Sequence, residues 1–185
     1  MSEKKDLRVL DPFCGVGTTL IGSQELSNGI NISAVGIERN PFIQFVAQTK
    51  VRWPEMDSAI ILKIGTEILT KIGTSEGQIP ELSSLRTGRC MSRHVAGRLV
   101  AIIDSIRSHG RTPNHDALIL GVAASAEQLS KIRKDGRALR LVKKNRQLTN
   151  KIVQEKWQEI ASDVRFFQQI IPRASIPTVI LGDGR

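Results

Sequence analysis

Apolar residues recur along this chain in two rhythms, a short dense run near each end and a three-to-four spacing through the middle. Residues 7–11, Leu-Arg-Val-Leu-Asp, read as a short buried strand, and residues 33–37, Ser-Ala-Val-Gly-Ile, as a second. Between them, residues 17–27 read as a helix with Leu20, Ile21 and Gln24 on its inner side, broken by Asn28-Gly29. Pro41 suits the first turn of another helix running to about Lys50. Strand, helix, strand, helix opens a parallel α/β sheet with right-handed crossovers.

From about residue 57 to 171 the pattern turns helical. Ile60, Ile61, Ile64, Ile68 and Leu69 mark a helix over 57–72; Val95, Leu99, Ile102, Ile103 and Ile106 mark one over 92–108. Residues 74–90, with their Gly, Ser, Pro and Thr, predict a loop, and Asp116 to about Leu129 predicts a packed helix. A long amphipathic helix is expected over 145–171 with Ile152, Trp157, Ile160, Val164 and Phe167 as its stripe, stopped by Pro172. The closing stretch, "IPTVILGDGR" at 176–185, reads as a third strand. The expected organisation is a strand–helix unit over 1–55, a helical insertion over 56–175 and the third strand over 176–185. The chain stops where a parallel strand expects a covering helix, so it reads as cut.

Composition changes this picture in one respect. A chain of 185 residues, 40% hydrophobic and 24% charged, fits a globular protein with a real core. No apolar run of 18 exists and the N-terminus has no apolar signal region, so a cytoplasmic protein is expected. Cys14 and Cys90 fit no metal spacing and read as reduced thiols. His94, His109 and His115 show no ligand spacing either, and Trp53 and Trp157 read as core residues. The charge is the informative number: 27 Lys+Arg against 18 Asp+Glu, a net +9, favours a polyanionic partner. It is concentrated in "KIRKDGRALRLVKKNRQ", 131–147, with eight Lys/Arg and one Asp. Asp135-Gly136 suggests a turn between helices there. Lys131, Arg133, Lys134, Arg137, Arg140, Lys143, Lys144 and Arg146 are the candidates for gripping DNA phosphates.

The candidate chemistry sits at "VLDPFCGVGTT", 9–19. Gly15 and Gly17 follow a strand and open a helix, so the backbone can approach a ligand beside free N–H groups. No lysine follows Gly17 at the place a phosphate-binding loop needs it. The third glycine of a dinucleotide fingerprint is replaced by Leu20. Both nucleotide readings are therefore disfavoured.

The nine residues "DPFCGVGTT" resemble the first motif of the S-adenosylmethionine-dependent methyltransferases that modify exocyclic amino groups of DNA bases. "VGIERNP", 35–41, resembles the second motif of that family, with Glu38 placed 21 residues after Gly17, and "VILGDGR" resembles the third, with Asp183 at the strand end. The resemblance implies a partial Rossmann-like methyltransferase fold, α/β with about three parallel strands and a large helical insertion between the second and third. It implies S-adenosylmethionine as cofactor, held by Asp11, Pro12, Phe13, Cys14, Gly15, Gly17, Thr18, Glu38, Arg39 and Asp183. Glu38 would accept from the ribose diol and Asp183 from the adenine amine. It also implies duplex DNA as partner, with adenine N6 or cytosine N4 as acceptor, in a restriction–modification setting.

The catalytic fourth motif of that family, an Asp/Asn/Ser-Pro-Pro-aromatic tetrapeptide, has no counterpart here: there is no Pro-Pro and no tyrosine. No catalytic residue is carried over, and this chain alone is expected to be inactive. Two alternatives follow. An RNA methyltransferase shares a similar first motif but usually joins its second and third motifs by a short segment, whereas Pro41 and Ile176 are 135 positions apart here. The other is a split or truncated subunit that binds cofactor or DNA, with the catalytic motif on a second polypeptide or a missing C-terminal part.

Overall fold

The computed structural model of the chain describes residues 6–27, 30–80, 90–135, 138–141 and 149–185. It is a mixed α/β protein with six α-helices and a three-stranded parallel sheet among these residues. The chain divides into two compact units, residues 1–58 with 162–185, and residues 59–161.

The first unit holds strand β1 (Asp6–Asp11), helix α1 (Thr18–Leu26), strand β2 (Asn31–Glu38) and helix α2 (Pro41–Val51). It is completed by the end of a later helix and the closing strand. The sheet order places β2 in the centre, with β1 on one side and the closing strand on the other, all parallel. Val9 pairs with Ala34 and Gly36 with Val179, so these face the same way. There they meet α1 and α2 in a core of Cys14, Leu20, Ala34, Ala47 and Val51. Asn40 caps α2 by accepting from the Phe42 and Ile43 amides, and Pro41 fills the first helical position, as its spacing predicts.

Gln24 ties this unit together from inside. It is fully buried, donates to the Val51 and Ser175 carbonyls at 2.8 and 3.0 Å, and accepts from the Trp53 indole at 3.1 Å. A buried amide is tolerated because every hydrogen-bonding group finds a partner.

The second unit contains α3 (Ser58–Ile72, from residue 59), α4 (Arg93–His109), α5 (Pro113–Leu129) and the first part of α6 (Thr149–Ile170). Trp157 is its keystone. The indole lies against Gly65 and Gly121, whose missing side chains make room for it, and donates to the Leu118 carbonyl at 2.8 Å. Arg98 is buried too, satisfied by the carbonyls of Ser75 and Gly73 and by Asn150.

Two expectations need correction. The basic segment is not a turn between helices. Strands β3 (Ile132–Asp135) and β4 (Ala138–Leu141) form an antiparallel pair there, because apolar residues two apart at Leu139 and Leu141 carry strand periodicity that the charges disguise. The closing strand β5 is also shorter than expected, Thr178–Leu181, leaving Gly182–Arg185 as an irregular tail over the strand ends. Residues 81–89 of the expected loop and 145–148 of the expected long helix lie outside the described residues. Among the described residues, no helix is long and apolar enough to cross a membrane.

Candidate functional site

In a parallel sheet all strands end on the same side, so the residues that follow them converge. Asp11 ends β1, Glu38 ends β2, and Gly182–Arg185 follow β5. A cavity of about 400 Å³ opens at these ends, lined by Pro12, Phe13, Ile37, Glu38, Arg39 and the segment 182–185. Five residues expected from the sequence thus share one cavity: Pro12, Phe13, Glu38, Arg39 and Asp183.

The loop after β1 is stitched to β2. The Cys14 amide donates to the Ile37 carbonyl at 3.0 Å, and the Asp11 carboxylate accepts from the Phe13 amide at 3.1 Å. Asp11 therefore shapes the turn that carries Phe13, a residue 68% exposed at the cavity wall. Gly15 and Gly17 both have positive φ, +52° and +80°, a region open to glycine and strained for other residues. Gly17 also has no room for a side chain, since a Cβ would stand 3.2 Å from Ala47 Cβ. Thr18 is exposed at the first position of α1.

Cys14 has a different place. Its side chain is buried in the core beneath the loop, against Gly36. Burial pushes its thiol pKa up, with the nearby carboxylates of Asp11 and Glu38 adding to the effect. Asp11, Cys14, Gly15, Gly17 and Thr18 do not line the cavity.

Glu38 is half-buried and accepts from the Asn40 amide at 2.7 Å. Asp183 is held by Arg185, which donates from its backbone amide, its Nε and its terminal nitrogen at 3.2, 3.1 and 2.8 Å. That bond, chiefly from the Arg185 side chain, holds the carboxyl below its ordinary value, with Arg39 contributing less. Ile37, Gly182, Gly184 and Arg185 were missed from the sequence. An acid and a base two positions apart in "GDGR" was the available signal for Arg185.

Lys50, also missed, reaches the glycine loop from the last turn of α2 and donates to the Val16 carbonyl at 3.0 Å. Burial lowers its ammonium pKa from the usual lysine value.

In the second unit, Lys131, Arg133 and Arg140 are exposed on or beside the β3–β4 ribbon, and Lys134 lies on β3. The register sets Arg133 directly opposite Arg140, and Ile132 opposite Leu141. Arg137, Lys143, Lys144 and Arg146 lie outside the described residues. The histidines differ from one another. His94 pairs with Glu76, His109 leans on the Ser105 carbonyl, and His115 is buried. Among the described residues no group of three or more His, Cys, Asp or Glu side chains could hold a metal ion.

Compared with protein-family models, with curated proteins and with solved structures, the chain matches none of them.

Proposed function

We propose that the first unit is the cofactor-binding part of a Rossmann-like, S-adenosylmethionine-dependent methyltransferase acting on an exocyclic amine of a DNA base. The observation that carries this reading is the convergence of Pro12-Phe13, Glu38 and Asp183 on one cavity at the carboxyl ends of three parallel strands, beside a Gly-x-Gly loop that opens a helix.

The residues fit such a ligand. A carboxylate has roughly four acceptor positions, and Glu38 uses one for the Asn40 amide, which leaves capacity for a pair of ribose hydroxyls. The exposed Phe13 ring and Ile37 offer apolar walls to a flat base. Asp183 accepts an amine only by sharing its carboxylate with Arg185. The Gly15–Gly17 turn stands beside this cavity rather than in its wall, and at Gly15 no Cβ blocks approach to the backbone. When bound, the cofactor supplies an electrophilic methyl group on a sulfonium.

Methyl transfer also needs a group that orients the target amine, and proximity of that kind is a large part of such a rate enhancement. The 185 residues contain no Pro-Pro-aromatic sequence to do so, and on this reading the purified chain binds cofactor and methylates nothing. The basic ribbon of the second unit, with Lys131, Arg133, Lys134 and Arg140, is the part proposed to grip DNA phosphates.

Calorimetric titration with S-adenosylmethionine tests the site. Asp11→Ala loosens the turn under Phe13, and Glu38→Ala removes the diol acceptor. Each is expected to weaken binding about tenfold or more, the cost of a charge-assisted hydrogen bond. Equal affinity in all three proteins would refute the assignment.

A further inference from the structure

The glycine loop has an internal weakness. Peptide Val16–Gly17 is a planar unit whose C=O and N–H point in opposite directions. Rotating that plane by half a turn changes chiefly the torsions on either side of it, one of which is φ of Gly17. Glycine accepts positive and negative φ alike, so sterics alone do not forbid the flip. A flipped plane would exchange the positions of a donor and an acceptor in the wall of the turn.

The structure holds the plane at both ends. The Gly17 amide donates to the Cys14 carbonyl at 2.8 Å. The Val16 carbonyl accepts from Lys50 Nζ at 3.0 Å. Lys50 comes from α2, one turn after Ala47, the fully buried residue against which Gly17 packs. Positions three apart share a helix face, so α2 touches the loop twice from one side. A half-buried ammonium is costly to desolvate, and a bond to a loop carbonyl offsets part of that cost.

We propose that Lys50 is a positioning residue, whose ammonium locks the Val16–Gly17 peptide in the one orientation that keeps the glycine loop ready for its ligand. Its effect on affinity rests on the cofactor reading above; its effect on the loop does not. Lys50 touches no reacting atom in this scheme. It acts by removing the alternative loop state before the ligand arrives, which lowers the ordering cost of binding.

The test uses the full 185-residue chain, wild type beside Lys50→Met and Lys50→Arg, with two readouts. The first is hydrogen exchange at the Gly17 amide without ligand. Lys50→Met is expected to speed it about tenfold at an unchanged thermal midpoint, and Lys50→Arg to restore it. The second is titration with S-adenosylhomocysteine, where Lys50→Met is expected to bind about tenfold more weakly and Lys50→Arg within about threefold of wild type. Unchanged Gly17 exchange in Lys50→Met overturns the proposal. Faster exchange with wild-type affinity overturns the claim that the lock serves binding. A wild type that binds no S-adenosyl compound, with Gly17 exchange still dependent on Lys50, overturns the cofactor reading and leaves the lock standing.

Discussion

His115 shows how one residue acquires a property its sequence position does not announce. It sits in the first turn of α5 and is 7% exposed, with Nδ1 2.8 Å from the Thr112 hydroxyl. Its Nε2 is the one buried side-chain polar atom without a hydrogen-bond partner among the described residues. Burial disfavours the imidazolium and lowers the pKa from 6.5; His109 adds to this and Asp116 opposes it. The unfolded chain therefore takes up a proton at higher pH than the folded one. The stability contributed by neutral His115 is fully present above about pH 6.5 and is lost as pH falls from there toward the folded value. Urea midpoints across that range should fall for wild type and fall less for His115→Gln. The same slope in both would show that His115 is not the group titrating. Glu38 is the opposite kind of residue. Its position was legible because "GIERNP" puts an acid at a strand tip, and the structure places it on the cavity.

At the scale of elements, the first four are plain in the sequence. Dense apolar runs and a Pro at the start of α2 mark them, and local signals of this kind survive in the fold. The β3–β4 ribbon was not legible as strands, because eight Lys and Arg in 131–147 mask the apolar residues between them. Its register sets Arg133 directly opposite Arg140. The ribbon is the proposed DNA contact because Lys131, Arg133, Lys134 and Arg140 cluster on or beside it. Each Lys or Arg bound to a phosphate contributes about 0.9 to the dependence of log affinity on log salt. The double variant Arg133→Gln/Arg140→Gln should lower that slope by about 2 on a short duplex, with similar losses for unrelated sequences. Fluorescence anisotropy over a salt series measures it, and an unchanged slope removes both arginines from the interface.

For the molecule as a whole, the division into two units organises the packing. The core of the second unit depends on glycines at Gly65 and Gly121 that lie far apart in sequence and meet only at Trp157. A side chain at Gly121 would start inside the space the indole occupies, so Gly121→Val is expected to cost about 3 kcal/mol. Thermal melting should then fall by roughly 6–12 °C for a chain of this size. A midpoint within a degree of wild type would show that Trp157 has room to move. In the first unit, register sets Leu10 and Ile180 on the sheet face opposite α1 and α2, where they are 65% and 45% exposed. Among the described residues, these apolar strands, which read as buried in the sequence, are thus covered on one face only.

The sequence by itself determined the order of strands and helices in the first unit, the positive-φ loop at Gly15–Gly17 and the strand-end acids Asp11 and Glu38. Each of these depends on residues close together in the chain, where conformational preference and short-range hydrogen bonding decide. Only the tertiary structure decided that β2 is central and that Gly182–Arg185 close the cavity beside Glu38. It alone decided that Arg185 occupies Asp183, that Cys14 turns into the core and that Lys50 holds the glycine loop. Those are matters of register and of which side chain fills which space, set by contacts between residues as distant as Pro12 and Gly184, and no local pattern encodes them.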